Sequence, residues 1–225
     1  MIFNENGFPR PSGATDWMDS AHAAGLIAFV DELGIVKLKE YLDEVDGNTV
    51  LVRCPKDTSG LNPSNYKNCT RDQLICYMSG LYNLRLTGSS FRLLQAAKAR
   101  GYRAQNTEKD IPGSTKRFPD GADILDPSHI GYMKICAGLK TSWFQRLLML
   151  VRIKIASKFS QLKEPNNIIV MSVIYKYATV LVESNPRIYE AVDLYWKTWR
   201  NEPELAEMLK KKLRDSVELE KLENS

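Results

Sequence analysis

The sequence predicts an all-α fold of about nine helices, set as a helical array or an incomplete α/α toroid, with no significant sheet. Three observations carry this reading. Apolar residues recur three and four apart through most of the chain, the period of a helix that buries one face. Helix-start signals punctuate it: Thr70-Arg71-Asp72-Gln73 has the form of a capping box, and Asp126-Pro127, Pro165, Pro186 and Pro203 place prolines where a first helical turn accepts them. Only one run, Thr49–Arg53, has strand character. It has no second run to pair with, so it is expected to be extended chain.

Taken in order, residues 1–13 read as an irregular N-terminal arm. Thr15 or Asp16 caps a first helix to about Glu32, in which Gly25 and its alanine neighbours allow close approach of another helix. Ile35–Val45 reads as a second helix with Leu38, Tyr41, Leu42 and Val45 as its stripe, stopped by Gly47. Residues 55–69 are a polar loop. Thr70 opens a helix with Leu74, Ile75, Met78, Leu81 and Tyr82 inward, and Ser89 or Ser90 opens the next. Residues 101–122 read as a long loop, a length that is usually functional or disordered. Further helices start at Asp126, Thr141, Pro165, Pro186 and Pro203. The domain division is an arm at 1–13, a helical domain at 14–204 and a charged C-terminal helix at 205–225.

The 225 residues carry a net charge of +4, with 44% apolar and 26% charged residues. Those proportions belong to a globular chain and exclude collagen-like repeats and wholesale disorder. The N-terminus has no basic start followed by an apolar run, so no secretory signal is expected, and the location predicted is host cytoplasm or virion. The most apolar stretch, Ile168–Val182, is too short to span a bilayer, so no membrane span is expected. Cys54, Cys69, Cys76 and Cys136 form no CxxC, so they read as free thiols; no metal and no cofactor are predicted. Charge is uneven: residues 1–84 carry a net −4, 85–163 a net +10 and 164–225 a net −2. Pro127–Lys163 holds seven Lys/Arg and no acid. Such a region either faces a polyanion or neutralises acidic flanks.

The polar constellation of interest is Asn62-Pro63-Ser64-Asn65-Tyr66 followed by Thr70-Arg71-Asp72-Gln73. It puts Arg, Asp and Gln at a helix N-terminus, where free N–H groups and the dipole suit an anion or a sugar hydroxyl. Ordinary dipole complementarity explains Asp72 equally well. Asp16, Asp19 and His22 share a face of the first helix, a spacing that serves an Asp–His pair or plain capping. Asp120, Asp123 and Asp126 recur every three residues, which is not the EF-hand order. Trp196 and Trp199, with Tyr189 and Tyr195, lie on one helix and read as core. Leu205, Leu209, Leu213 and Val217 form a docking stripe on the last helix, while Lys210-Lys211-Lys212 reads as a solvated face. Walker, GxGxxG, GxSxG and HExxH motifs are absent.

Asp19-Ser20-Ala21, Arg53-Cys54-Pro55, Asn62 to Tyr66, Thr70 to Leu74 and Pro119-Asp120 occur in that order as spaced islands over roughly residues 10–140. In this order they resemble a loose group of uncharacterised phage and bacterial helical proteins. That group carries Arg-His-Pro at the second island; here Cys54 stands in the middle, which leaves no histidine there. The resemblance implies a helical fold and a phage origin, and no activity.

The combined expectation is a phage-associated helical protein whose loops converge on a polar pocket lined by Asp19, Arg53, Asn65, Arg71, Asp72 and Asp123. The pocket would bind a polar or anionic ligand or a partner, as a virion or host-interaction component. A protein partner or a second copy would dock through the C-terminal helix. The alternatives are a glycan-active hydrolase or lyase using the carboxylates, and a nucleic-acid binder using the basic region 85–163.

Overall fold

The computed structural model describes residues 1–14, 17, 19–30, 38–45, 47–55, 69–104, 124–158 and 187–223. Among them are seven α-helices: α1 (Ser20–Val30), α2 (Arg71–Asn83), α3 (Thr87–Ala99), α4 (Pro127–Cys136), α5 (Trp143–Lys158), α6 (Arg187–Val192) and α7 (Pro203–Glu223). A 3-10 turn covers Leu38–Tyr41, and a π-helical segment, Asp193–Trp199, continues α6. Four short strands form two antiparallel hairpins, β1 (Ile2–Phe3) with β2 (Pro9–Arg10) and β3 (Leu42–Val45) with β4 (Asn48–Leu51).

The prediction of an all-α chain with about nine helices and no sheet is therefore corrected. The main error lies at Ile35–Val45. Leu38, Tyr41, Leu42 and Val45 match a helical stripe by coincidence, but Leu42 pairs with Leu51 and Val45 with Asn48 across the turn. Only Asp46-Gly47 separates the strands, the dipeptide that favours a two-residue hairpin turn, and Gly47 supplies the required left-handed backbone at φ 73°. Thr49–Arg53 thus has its partner in the segment just before it. The N-terminal residues carry the β1–β2 hairpin and pack on the body. Phe8 is fully buried and meets the Tyr41 ring edge-on at 5.4 Å, and the Gly13 N–H donates to the Arg200 carbonyl at 2.9 Å.

Local capping chemistry holds where its partners are close in sequence. Thr70 and Gln73 form the reciprocal capping box of α2. Asp126 caps α4 by accepting from Ser128 N at 2.8 Å and His129 N at 3.2 Å. In α3 the start differs: Leu86 is the N-cap, and Ser89 and Ser90 lie buried inside the helix. Tyr82, expected inward, is exposed. The helix expected from Pro165 lies outside the described residues.

The centre of the molecule is the crossing of α1 and α2. Gly25 lies against the backbone of Cys76 and Tyr77, and a Cβ there would overlap both. A Cβ on Gly80 would stand 2.7 Å from the Gly25 carbonyl oxygen and 2.9 Å from the Ala28 Cβ. One turn on, Asn83 Nδ2 donates to the Ala28 carbonyl at 3.0 Å. Contacts advance in the same sense along both helices, so α1 and α2 run parallel and their N-termini share one end. Leu26, Phe29, Leu74, Met78 and Leu81 fill the core around this crossing, with Tyr132 of α4 and Trp196.

The C-terminal helix docks on this core through Leu205, Ala206 and Leu209, all buried. Lys210-Lys211-Lys212 is correspondingly not a uniformly solvated face. Lys210 Nζ pairs with Asp193 at 2.7 Å and Glu207 at 2.6 Å, and Lys212 Nζ reaches Asn83 Oδ1 at 3.0 Å. Burial disfavours the Lys210 charge, but the two carboxylates outweigh it and its pKa is raised. Glu202, also buried, binds the Met1 ammonium and accepts from both the N–H and the hydroxyl of Ser12 at 2.7 Å.

Candidate functional site

Two polar clusters sit at the shared end of α1 and α2. The first gathers at the start of α1. Asp19 Oδ2 pairs with Arg200 Nη1 at 2.7 Å, and His22, one turn on, meets the buried Trp196 ring edge-on at 5.4 Å. Burial lowers the His22 pKa to about 4; Asp19 opposes that shift and Arg200 adds to it. His22 is therefore a neutral imidazole at pH 7. Beside it, Ser20 Oγ and Tyr41 Oη are hydrogen-bonded at 2.6 Å, and burial raises the Tyr41 phenol well above its ordinary range despite that bond. The cluster is an ion pair closed over an apolar, aromatic interior.

The second cluster gathers at the start of α2. Arg71, the first residue of the helix, donates from Nη1 to the Ile124 carbonyl at 3.5 Å, and its Nε lies 3.8 Å from Asp72 Oδ1. Cys69 is buried just before the cap, and its thiol donates to the Thr70 carbonyl at 3.3 Å. Burial pushes this thiol up to about 12; Arg53 and Arg100 pull against that rise and Asp72 adds to it. Arg53, Arg100 and Asp72 thus all lie within electrostatic reach of one sulfur.

Different elements deliver these arginines. Arg53 follows β4, whose neighbourhood is tied to α1 by Ala21 N donating to the Arg53 carbonyl at 2.8 Å. Arg100 is the C-cap of α3, where a cation suits the helix dipole. The chain then turns sharply: Gly101 and Tyr102 both adopt left-handed backbone, at φ 66° and 59°. For Tyr102 this conformation costs roughly 1–2 kcal/mol, and it is secured by Tyr102 N donating to the Ala97 carbonyl and Leu125 N to that of Tyr102. The turn brings Arg103, exposed, into a bridge with Ile124, the residue whose carbonyl Arg71 contacts.

Of the predicted pocket residues, Arg53 and Asp72 both act on the Cys69 thiol at the second cluster, and Arg71 lies beside Asp72. Asp19 belongs to the first and is engaged by Arg200. Asn65 and Asp123 lie outside the described residues. Sequence reasoning missed Arg100 and Arg200. Arg100 carried only the weak signal of a basic residue before a helix-ending glycine. Arg200 carried none, since its partner Asp19 is far away in sequence. Among the described residues, no group of three or more His, Cys, Asp or Glu could hold a metal ion, and no helix is long and apolar enough to cross a membrane.

The second cluster can do one thing well. Arg71 lies beside Asp72, and Arg53, Arg100 and Asp72 all act on the Cys69 thiol, so guanidinium groups from three elements lie near one helix start, a setting suited to anionic oxygen. It offers no activated nucleophile, since the Cys69 thiol stays protonated at neutral pH. Comparison of the chain with family models, with curated proteins and with solved structures finds no match.

Proposed function

We propose that this chain is a binding protein whose site is the arginine-ringed start of α2, taking an anionic ligand or the acidic surface of a partner. The observation that carries the reading is that Arg53, Arg100 and Asp72, from separate elements, all act on the Cys69 thiol at the start of α2, where Arg71 lies beside Asp72. Such convergence at a helix N-terminus favours anion recognition over a purely local salt bridge. The sequence resemblance alone supports a phage setting, as a virion or host-interaction component.

A second reading draws on Arg100 and Arg103. Both fall in the stretch of net +10, so the anion could be a nucleic-acid backbone. The glycan-hydrolase reading has less support. That chemistry needs two apposed carboxyl groups, whereas Asp19 pairs with Arg200 in the first cluster and Asp72 sits among arginines in the second.

The test is a thermal-shift titration with inorganic phosphate, heparin and a single-stranded oligonucleotide, on wild type and on Arg71→Ala/Arg100→Ala. A ligand at a hundred times its Kd stabilises by about 2.7 kcal/mol, which raises the melt by roughly 5–11 °C at this chain length. The expected result is such a rise with at least one anion, lost in the double variant. A nucleic-acid ligand would in addition show a linear fall of log affinity with log salt. No shift with any of the three, or an equal shift in the double variant, would overturn the proposal.

A further inference from the structure

A separate feature lies on α5, away from both clusters. Its inner face packs on α4: Met149 is fully buried, and Gln145 lies against Gly131, where a Cβ would stand 3.0 Å from the Gln145 Cβ. Among the described residues, the outer face is apolar and largely exposed. Trp143 is 75% exposed, Phe144 49%, Leu147 45% and Val151 41%. At 100° per residue these four span an arc of roughly 100°. The Trp143 and Phe144 rings stand edge to face at 6.0 Å at the start of the helix. Exposed Lys140 and Arg146 flank them, and Leu139 adds another exposed apolar side chain. Arg146 Nε donates to the Thr141 hydroxyl at 2.9 Å, a neutral partner that leaves the charge in place. From Pro127 to Lys163 the sequence has no acid at all.

We infer that this face is a contact for an anionic lipid surface, with Trp143 and Phe144 entering the interfacial layer and Lys140 and Arg146 resting among the headgroups. The charge pattern selects this occupant. An amphipathic helix that lies in a membrane interface combines Trp, Phe and Leu with lysine and arginine, and α5 and the chain leading into it carry no acid of their own to repel a negatively charged bilayer. A second copy of the chain fits less well, because this face would bring like charges together. The patch is also small. Trp143 and Phe144 bury at most roughly 150–250 Å² each, and part of each is already covered, whereas a stable interface takes about 800 Å² per partner. Interfacial binding needs no such area, because headgroup attraction adds to apolar insertion. The helix lies on the surface and does not span it, in keeping with the absence, among the described residues, of a helix able to cross.

The experiment is vesicle sedimentation with the full chain, using phosphatidylcholine alone and phosphatidylcholine mixed with phosphatidylglycerol. Wild type is expected to pellet with the mixed vesicles and not with the neutral ones. Trp143→Ala/Phe144→Ala should weaken partitioning by on the order of ten-fold or more, and Arg146→Glu should weaken it without touching the apolar arc. Trp143→Phe provides a reading free of folding concerns: mixed vesicles carrying brominated lipid should quench wild-type tryptophan emission and quench this variant far less. Failure of wild type to pellet with mixed vesicles, equal pelleting of Trp143→Ala/Phe144→Ala, or equal quenching of Trp143→Phe would each overturn the inference. A lipid-free dimer seen by light scattering and abolished by Trp143→Ala/Phe144→Ala would overturn it in favour of a second copy.

Discussion

At the start of α1, Asp19 meets one arginine, with a neutral histidine and a tryptophan ring behind it. At the start of α2, Asp72 lies beside Arg71, and Arg53, Arg100 and Asp72 all act on the Cys69 thiol. The residue types are the same and the two helices run parallel, so the contrast lies in charge balance and closure. The Asp19–Arg200 pair lies over the buried His22 and Trp196, as folding requires of an ion pair near a core. The group at the start of α2 draws cations from the chain after β4, from α2 and from the end of α3 toward one helix end.

Both clusters depend on the α1–α2 crossing, so the largest expected effect abolishes the contrast itself. Gly25→Ala would drive a methyl group into the Cys76 carbonyl and the Tyr77 backbone, which have no side-chain freedom to move aside. The helices must then separate, at a cost of about 3 kcal/mol or more. Urea unfolding should show that loss, and anion binding at α2 should fall with it. A stability within about 1 kcal/mol of wild type would mean that the crossing yields more easily than its geometry implies.

Acid should act on the first cluster. His22 is held at about 4 in the folded chain, against an ordinary value of 6.5 when unfolded. Between those values the unfolded chain binds the extra proton, so stability is complete near neutral pH and is lost as pH falls through that window. The loss from pH 7 to pH 5 is about 2 kcal/mol. Urea midpoints across that range should fall for wild type and fall less for His22→Phe, which keeps a ring against Trp196 without a titrating nitrogen. An unchanged slope in the variant would assign the acid sensitivity elsewhere.

The two ion pairs should then separate in size. Arg200→Ala removes the partner of Asp19 at a site about a quarter exposed, with an expected loss of roughly 1–2 kcal/mol. Asp72→Asn should change stability by less than about 1 kcal/mol, because its carboxylate is 33% exposed and 3.8 Å from the Arg71 Nε. It should also strengthen anion binding, since it removes a negative charge beside Arg71. Equal melting losses for the two variants would make Asp72 a structural clamp and erase the distinction between the clusters.

What the sequence revealed of this arrangement follows from distance along the chain. The capping box at Thr70 and Gln73 and the cap at Asp126 were legible because each partner lies within three residues. Gly25 was legible as a close-approach position because small residues surround it. The β3–β4 hairpin was written in Asp46-Gly47, but the spacing of Leu38, Tyr41, Leu42 and Val45 satisfied a helical period at the same time. Hydrogen bonding across the turn decided between them. Arg100 beside Arg53, and Arg200 beside Asp19, are products of tertiary packing. No local pattern encodes which arginine a carboxylate will meet when the two are brought together only by folding.

The smallest expected effect is an absence of reaction, and it separates a binding site from a catalytic one. Arginines near a thiol ordinarily favour the thiolate and make the sulfur reactive. At Cys69 burial outweighs Arg53 and Arg100 and leaves the thiol near 12, with the sulfur almost wholly covered. Iodoacetamide at pH 8 should therefore leave Cys69 unmodified in the folded chain and alkylate it fully in urea, as read by peptide mass spectrometry. Rapid labelling of Cys69 in the folded chain would show that the arginines dominate its environment. The second cluster would then hold a nucleophile as well as an anion site, and covalent chemistry would displace simple binding as its function.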